Sequence, residues 1–272
     1  MKTNRTDLFA LMRAENPADF LRNNRNNLFV EYPVFERLNI VDTINGLSHK
    51  NNWKHSLVVL EKACKISDDP VFRFSALMHD VGKAKCKKFD SERGWQFDGH
   101  AKAGAKYTLN YCNDLGYLES IDIERIYTII SLHQDPIELN IQSANGEIIT
   151  DSALRRFAMK CESYLKDIYL FCQCDITTSD KNKEKIYIDN IHALFARIQI
   201  ILENDKKAQW RPSFNGKDLM DQFGLESGRF LGEVKDVVIR AIKNGEIEDK
   251  KEICLEFAKN YIKKYEEKSC VL

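Results

Sequence analysis

The sequence predicts an all-α fold, on three observations. Apolar residues recur at helical spacing in one segment after another along the 272 residues. Gly (12) and Pro (5) are scarce, which favours helices with short connections. Only one stretch alternates as a pair of strands would. The expected architecture is a helical bundle with one small β-hairpin and a C-terminal helical extension. It divides into an N-terminal helical segment at 1–40, a central domain at 41–180, and a C-terminal tail region at 181–272 packed on that domain.

Between Thr6 and Asn27, residues Leu8, Phe9, Leu11, Met12, Phe20 and Leu21 fit two short helices, with Pro17 as a natural first-turn residue after Asn16. Phe29 to Ile40 holds Pro33 between aromatics, and Asn45-Gly46 marks a turn. The first long helix is expected over about Asn51–Ile66, because Leu57, Val58, Leu60, Ala63 and Cys64 form a stripe that stops before Asp68-Asp69-Pro70. His55 lies on it.

The chain is organised around the next segment, Val71 to Lys83. Phe72, Phe74, Ala76, Leu77 and Met78 are too continuously apolar for a surface helix, so the segment should be buried on most of its circumference. It ends in His79 and Asp80, two groups that are costly to bury unless something pairs them. Lys85–Asp98, alternating around Ser91-Glu-Arg-Gly94, is the expected hairpin, and it leads straight into Gly99-His100. Helices are then expected at about His100–Leu115, Ile121–His133, Ser152–Lys160, Tyr164–Thr177, Lys183–Asn204, Gly216–Phe223, Gly228–Asn244 and Lys250–Tyr265. Gln134–Thr150 is polar, with Asn145-Gly146 as a turn; it reads equally as a wall of the site or as a surface loop.

Composition narrows the function classes. Forty-one basic and 41 acidic residues cancel, so no global field recruits nucleic acid and any polyanion site must be a local patch. Eight irregularly spaced cysteines look like reduced thiols, and no apolar run approaches the roughly 18 residues that cross a bilayer. The start, Met-Lys-Thr-Asn-Arg-Thr-Asp, has no apolar signal region, so the expected location is cytoplasmic, with no membrane partner.

An isolated His-Asp pair is more often a satisfied core histidine beside a capping residue. Here four of the six histidines fall on one ladder: His55, His79-Asp80, His100, His133 and then Asp175, each step about one or two helices long. In a bundle such residues converge when each sits at a helix end or on an inward face. Imidazole nitrogen and carboxylate oxygen suit divalent transition metals such as manganese, iron, nickel, cobalt or zinc. His55, His79, Asp80 and Asp175 are the candidate ligands of one ion, and Asp80 would bridge to a second held by His100 and His133. Two such ions can clamp the attacking and leaving oxygens of a phosphoryl centre.

Cations for phosphate lie alongside. Residues 83–106 hold seven basic side chains, Lys83 foremost, against three acidic ones. Asp80 and Lys83 are the candidate catalytic residues. Arg155 or Arg156 is a candidate for gripping a further phosphate in bidentate fashion, although Leu154, Phe157 and Ala158 around them equally fit an ordinary amphipathic helix. His49 is a candidate substrate contact, set against the plainer reading of a polar surface histidine.

The ordered set His55, His79-Asp80, His100, His133 and Asp175 resembles the HD-domain metal-dependent phosphohydrolases. Longer stretches narrow the likeness: Phe74–Lys83, Gly94–His100, Thr150–Arg156, Cys174–Ser179 and, in the tail, Phe214–Gly224 with Gly228, Glu233 and Gly245–Ile247. They are similar to the HD-containing C-terminal half of bacterial CCA-adding tRNA nucleotidyltransferases. The resemblance covers roughly Ile40 to Tyr265. It implies the six metal-ligand roles just given and a 2′,3′-cyclic phosphodiesterase or 2′-phosphatase activity on RNA 3′ ends or nucleotide phosphates. The family's nucleotidyltransferase head cannot fit within residues 1–40, so nucleotide addition is not expected from this chain alone. Two alternatives stand beside the hydrolase: a helical RNA-binding or scaffolding module for a separately encoded nucleotidyltransferase, and a free-nucleotide phosphohydrolase.

Overall fold

A computed structural model describes residues 5–116, 118–144 and 147–269. The chain forms two compact units, Met1–Leu202 and Glu203–Leu272. The first opens with four short helices, α1 (Leu8–Leu11), α2 (Pro17–Asn23), α3 (Arg25–Glu31) and α4 (Pro33–Asn39). Asp7 caps α1 and Asn16 caps α2. The fourth helix is not among the expected elements, the sequence showing only Pro33 between aromatics. In the fold Pro33 is its first residue, a position that wants the fixed φ of proline and loses nothing by its missing N–H.

Two antiparallel hairpins follow in place of the single one expected. Strands β1 (Thr43–Ile44) and β2 (Leu47–Ser48) are closed by Asn45 and Gly46, at φ 52° and 76°. Both values are positive, as the tight two-residue hairpin turn requires. Strands of two residues are too short to show alternation. The second hairpin, β3 (Lys88–Asp90) with β4 (Gly94–Gln96), lies within the expected span, and Trp95 donates its indole N–H to the Leu47 carbonyl of the first, joining the two.

Between and after them run α5 (Asn52–Ile66), α6 (Pro70–Met78), α7 (Lys83–Cys86), α8 (His100–Leu115), α9 (Ser120–Leu132), α10 (Asp135–Ala144), α11 (Asp151–Cys161), α12 (Leu165–Asp175) and α13 (Lys181–Gln209). The polar segment after His133 is therefore largely helix; the Asn145-Gly146 turn lies outside the described residues. Helix α6 is buried all round, as its composition demands: every residue from Val71 to Met78 is buried. Phe74 and Leu77 join a core with Leu8, Met12, Leu21, Phe35 and Trp53, while Phe72 and Ala76 join a second with Phe157, Phe171, Ile191 and Phe195. One cation is buried in this helix too. Arg73 donates to the carbonyls of Ser67, Cys64, Met12 and Ala14 and pairs with Asp68, so its charge is surrounded by acceptors.

The second unit holds α14 (Gly216–Phe223), α15 (Arg229–Lys243) and α16 (Lys251–Ser269) around Phe214, Leu219, Val234, Val238, Cys254 and Ala258. Asn215 and Asp218 form a reciprocal capping box at the start of α14. No helix among the described residues is long and apolar enough to cross a membrane, and their cysteines are all free thiols.

Candidate metal centre

Five helices bring the six ladder residues together, and four of the six stand at helix ends. His79 caps the C-terminus of α6 and His133 that of α9; His100 opens α8 and Asp175 closes α12. His55 lies on the first turn of α5, and Asp80 directly follows His79. The crossing that sets Asp80 against His100 depends on glycine. Gly82 has φ −65°, which any residue can adopt, but a Cβ there would lie 2.1 Å from the His100 carbonyl oxygen and 2.5 Å from the Gly104 nitrogen.

Asp80 is the hub. Its Oδ2 faces His79 Nε2 at 3.3 Å, His55 Nε2 at 3.5 Å and the Lys83 ammonium at 2.7 Å. Its Oδ1 faces His100 Nε2 at 3.1 Å and His133 Nε2 at 3.8 Å. Asp175 Oδ1 lies 2.9 Å from His55 Nε2 and 3.5 Å from His79 Nε2. The imidazoles pair off, His55 with His79 and His100 with His133, each at 3.3 Å between Nε2 atoms.

These contacts are set up for a cation. His79, His100 and His133 place Nδ1 at 2.9, 2.9 and 2.7 Å from the carbonyls of Ala76, Phe97 and Ile130. A carbonyl only accepts, so each Nδ1 carries a proton, and each ring, when neutral, turns its Nε2 lone pair inward. The His100 and His133 lone pairs then meet each other and Asp80 Oδ1, three acceptors with no donor among them. That is why Asp80 Oδ1 is buried without a hydrogen-bond partner despite its close neighbours. Burial opposes a charge on His79, yet Asp80 and Asp175 outweigh it and lift that ring to about 10. Burial, with His79 beside it, pushes His133 down to about 4. Burial also disfavours ionised carboxylates here, but His79 and Lys83 hold Asp80 well below the usual range, and His55 and His79 do the same for Asp175. The nitrogen and oxygen donor set fits a divalent transition metal. His55, His79 and Asp175 form one group that could hold an ion, and His79, Asp80 and His133 a second. Sulfur does not compete, since burial pushes the Cys174 thiol up to about 12 and also raises Cys172 well above the usual thiol range.

The remaining candidates fall elsewhere or behave differently. Lys83 joins the cluster. His49 does not: it is buried rather than superficial, Nδ1 donating to the Lys50 carbonyl and Nε2 accepting from the Asp42 N–H, with Trp95 and Phe97 against the ring. Both of its nitrogens are thus occupied within the chain. Arg155 and Arg156 lie on α11 and do not line the cavity over the cluster; Arg156 is exposed and bonds Ser152. Sequence reasoning missed Thr177, whose Oγ1 lies 3.0 Å from His55 Nδ1, and Phe171, packed edge-on against His79 and His133. Thr177 stands in the quoted stretch Cys174–Ser179, two residues past a ligand, which was the available signal.

A cavity of about 440 Å³ opens over His55, Lys83 and Asp175. Helix α10 forms part of its wall through Ile137, Asn140 and Ile141, with Gln134 just before it. The polar segment after His133 is thus a wall of the cavity, built as a helix.

Residues 52–175 match the HD domain family. The chain is 27% identical over 211 residues to the CC-adding tRNA nucleotidyltransferase of Thermus thermophilus, covering 76% of this chain and 44% of that protein. It is 24% identical over 210 residues to the A-adding tRNA nucleotidyltransferase of Deinococcus radiodurans, covering 75% and 45%. It is 45% identical over 125 residues to the multifunctional CCA protein of Teredinibacter turnerae, covering 44% and 28%. The chain thus spans less than half the length of these relatives.

Proposed function

From an HD domain at residues 52–175, a domain of the metal-dependent phosphohydrolase family, we propose that this chain hydrolyses a phosphoester at an RNA 3′ end or on a nucleotide, as a 2′,3′-cyclic phosphodiesterase or 2′-phosphatase. One observation carries the reading: a buried carboxylate, Asp80, stands between two imidazole pairs, and its Oδ1, facing His100 and His133, has no hydrogen-bond partner. In this reading His55, His79, Asp80 and Asp175 would hold one divalent ion, and Asp80, with His100 and His133, would serve a second. When bound, such ions acidify water and stabilise charge on a phosphoryl group. The chain's own groups do the rest. Lys83, 2.7 Å from Asp80, presents an ammonium to the phosphate oxygens, and Lys50 adds a second positive charge at the cavity wall. Lys83, whose side chain is 19% exposed, acts where surrounding protein largely excludes water and strengthens its charge, whereas Lys50 is exposed. The relatives' names, tRNA nucleotidyltransferases, support RNA as the substrate class and leave a separately encoded nucleotidyltransferase as a proposed partner.

The test is the purified chain with manganese, nickel or cobalt on 2′,3′-cyclic AMP, 2′-AMP, nucleoside triphosphates and RNA ending in a 2′,3′-cyclic phosphate. Asp80→Ala is the control, expected to abolish turnover while the far-ultraviolet circular dichroism stays helical. Hydrolysis of the RNA ends supports 3′-end processing. Cleavage of free nucleotides alone moves the assignment to nucleotide metabolism, and no metal-dependent hydrolysis of any substrate favours a scaffolding role.

A further inference from the structure

The cavity wall remote from the ligands has a composition that metal and phosphate do not explain. Helix α10 contributes Ile137, Asn140 and Ile141, and α13 contributes Tyr187, Asn190 and Ile191. Each set is spaced i, i+3, i+4, which places it on one helix face. The two sets share a pattern, an aliphatic or aromatic residue, then an amide, then isoleucine. Ile141 is 54% exposed and Tyr187 48%, so both large apolar groups stand open at the rim. The amides of Asn140 and Asn190 make no hydrogen bond to another described residue. Apolar surface with free amide donors and acceptors at its edge matches a nucleobase, which has apolar faces and a polar perimeter.

We propose that the slot between α10 and α13 is a nucleobase subsite. Tyr187 stacks on the base, Ile137 and Ile141 cover its other face, and Asn140 and Asn190 bond its edge while the phosphate reaches Lys83 and the ligand cluster. The proposal rests on the phosphohydrolase reading for the position of the phosphate. A volume of about 440 Å³ lies in the range of roughly 300–1,000 Å³ typical of small-molecule sites. That is the size of one nucleotide, so in this proposal an RNA substrate places one unpaired terminal residue there. Because every base has a stacking face, the subsite should tolerate any of them.

The experiment compares 2′-AMP with β-glycerophosphate, a phosphomonoester without a base, using the metal-loaded full chain. Tyr187→Ala should raise KM for 2′-AMP about tenfold, a modest stacking loss, with a smaller change in kcat. Ile141→Asp, from the opposite wall, should do the same, and Tyr187→Phe should keep the wild-type KM. Equal KM for the two substrates in the wild type, or an unchanged KM ratio in both wall variants, would overturn the subsite and leave the hydrolase reading standing. Binding of 2′-AMP followed by calorimetry separates the other case. If nothing is hydrolysed but 2′-AMP binds and Tyr187→Ala weakens it about tenfold, the subsite holds and the hydrolase reading falls.

Discussion

Replacing Gly82 with alanine tests whether the crossing of the Asp80 turn over the start of α8 sets the spacing of the metal centre. The added Cβ would lie 2.1 Å from the His100 carbonyl oxygen, and both close neighbours are backbone, which cannot rotate away. Reaching even 3.0 Å requires the turn and the first helical turn to part by about 1 Å. Metal ligands tolerate about 0.2 Å, so a displacement of that size takes His100 out of register with Asp80 Oδ1. Overpacking of this kind costs about 1–3 kcal/mol, which in a unit of this size lowers Tm by roughly 3–10 °C. The assay pairs thermal unfolding with metal content by mass spectrometry. The variant should fold, melt early and lose about one equivalent of metal, the one that includes His100. Gly232→Ala is the control: nothing lies within 4 Å of its Cβ, and it sits inside α15, where alanine should stabilise by about 0.5–1 kcal/mol. A Gly82→Ala protein with wild-type Tm and full metal content would refute the argument.

His100→Ala should also release about one equivalent of metal, but without the early melting, because it removes a ligand rather than forcing backbone apart; unchanged stoichiometry and rate would make His100 a structural histidine. Thr177→Val leaves His55 Nδ1 without its partner at 3.0 Å and should weaken metal binding about 10- to 100-fold, with Thr177→Ser restoring it; titration with a competing chelator reads the change. Stripping metal from the wild type should lower Tm and reloading should restore it, since an ion that binds only the folded chain stabilises it by mass action; an unaltered Tm at saturating metal would argue against the site.

Much of this architecture is legible in the sequence because burial leaves a periodic trace. Helix α6 could be read from Phe72 to Met78 as buried all round, and the ligand ladder stands out because histidines are few and each follows or begins an apolar run. What escaped reading lacks such a trace. The strands Thr43–Ile44 and Leu47–Ser48 are too short to alternate. Helix α10 hides Leu139, which packs on the second core, and Ile137 and Ile141, which line the cavity on another face, among polar neighbours. Tyr187 and Asn190 carry an ordinary helical spacing; only the folded chain brings them to one cavity lining with Ile137 and Asn140. His49 could not be placed because a satisfied buried imidazole and a surface one look alike until Asp42, Lys50, Trp95 and Phe97 close around it.

The anchoring of the imidazoles has a consequence for how the centre tolerates mutation. His79, His100 and His133 are each oriented by a main-chain carbonyl three residues earlier, and every amino acid supplies a carbonyl. Substitution at Ala76, Phe97 or Ile130 therefore cannot delete the anchor, and drift can repack the bundle around these rings while their inward nitrogens keep their aim. His55 alone leans on a side chain, the Thr177 hydroxyl, which a single codon change can abolish. Of the four histidines, its orientation is the one most open to being lost, or retuned, by selection.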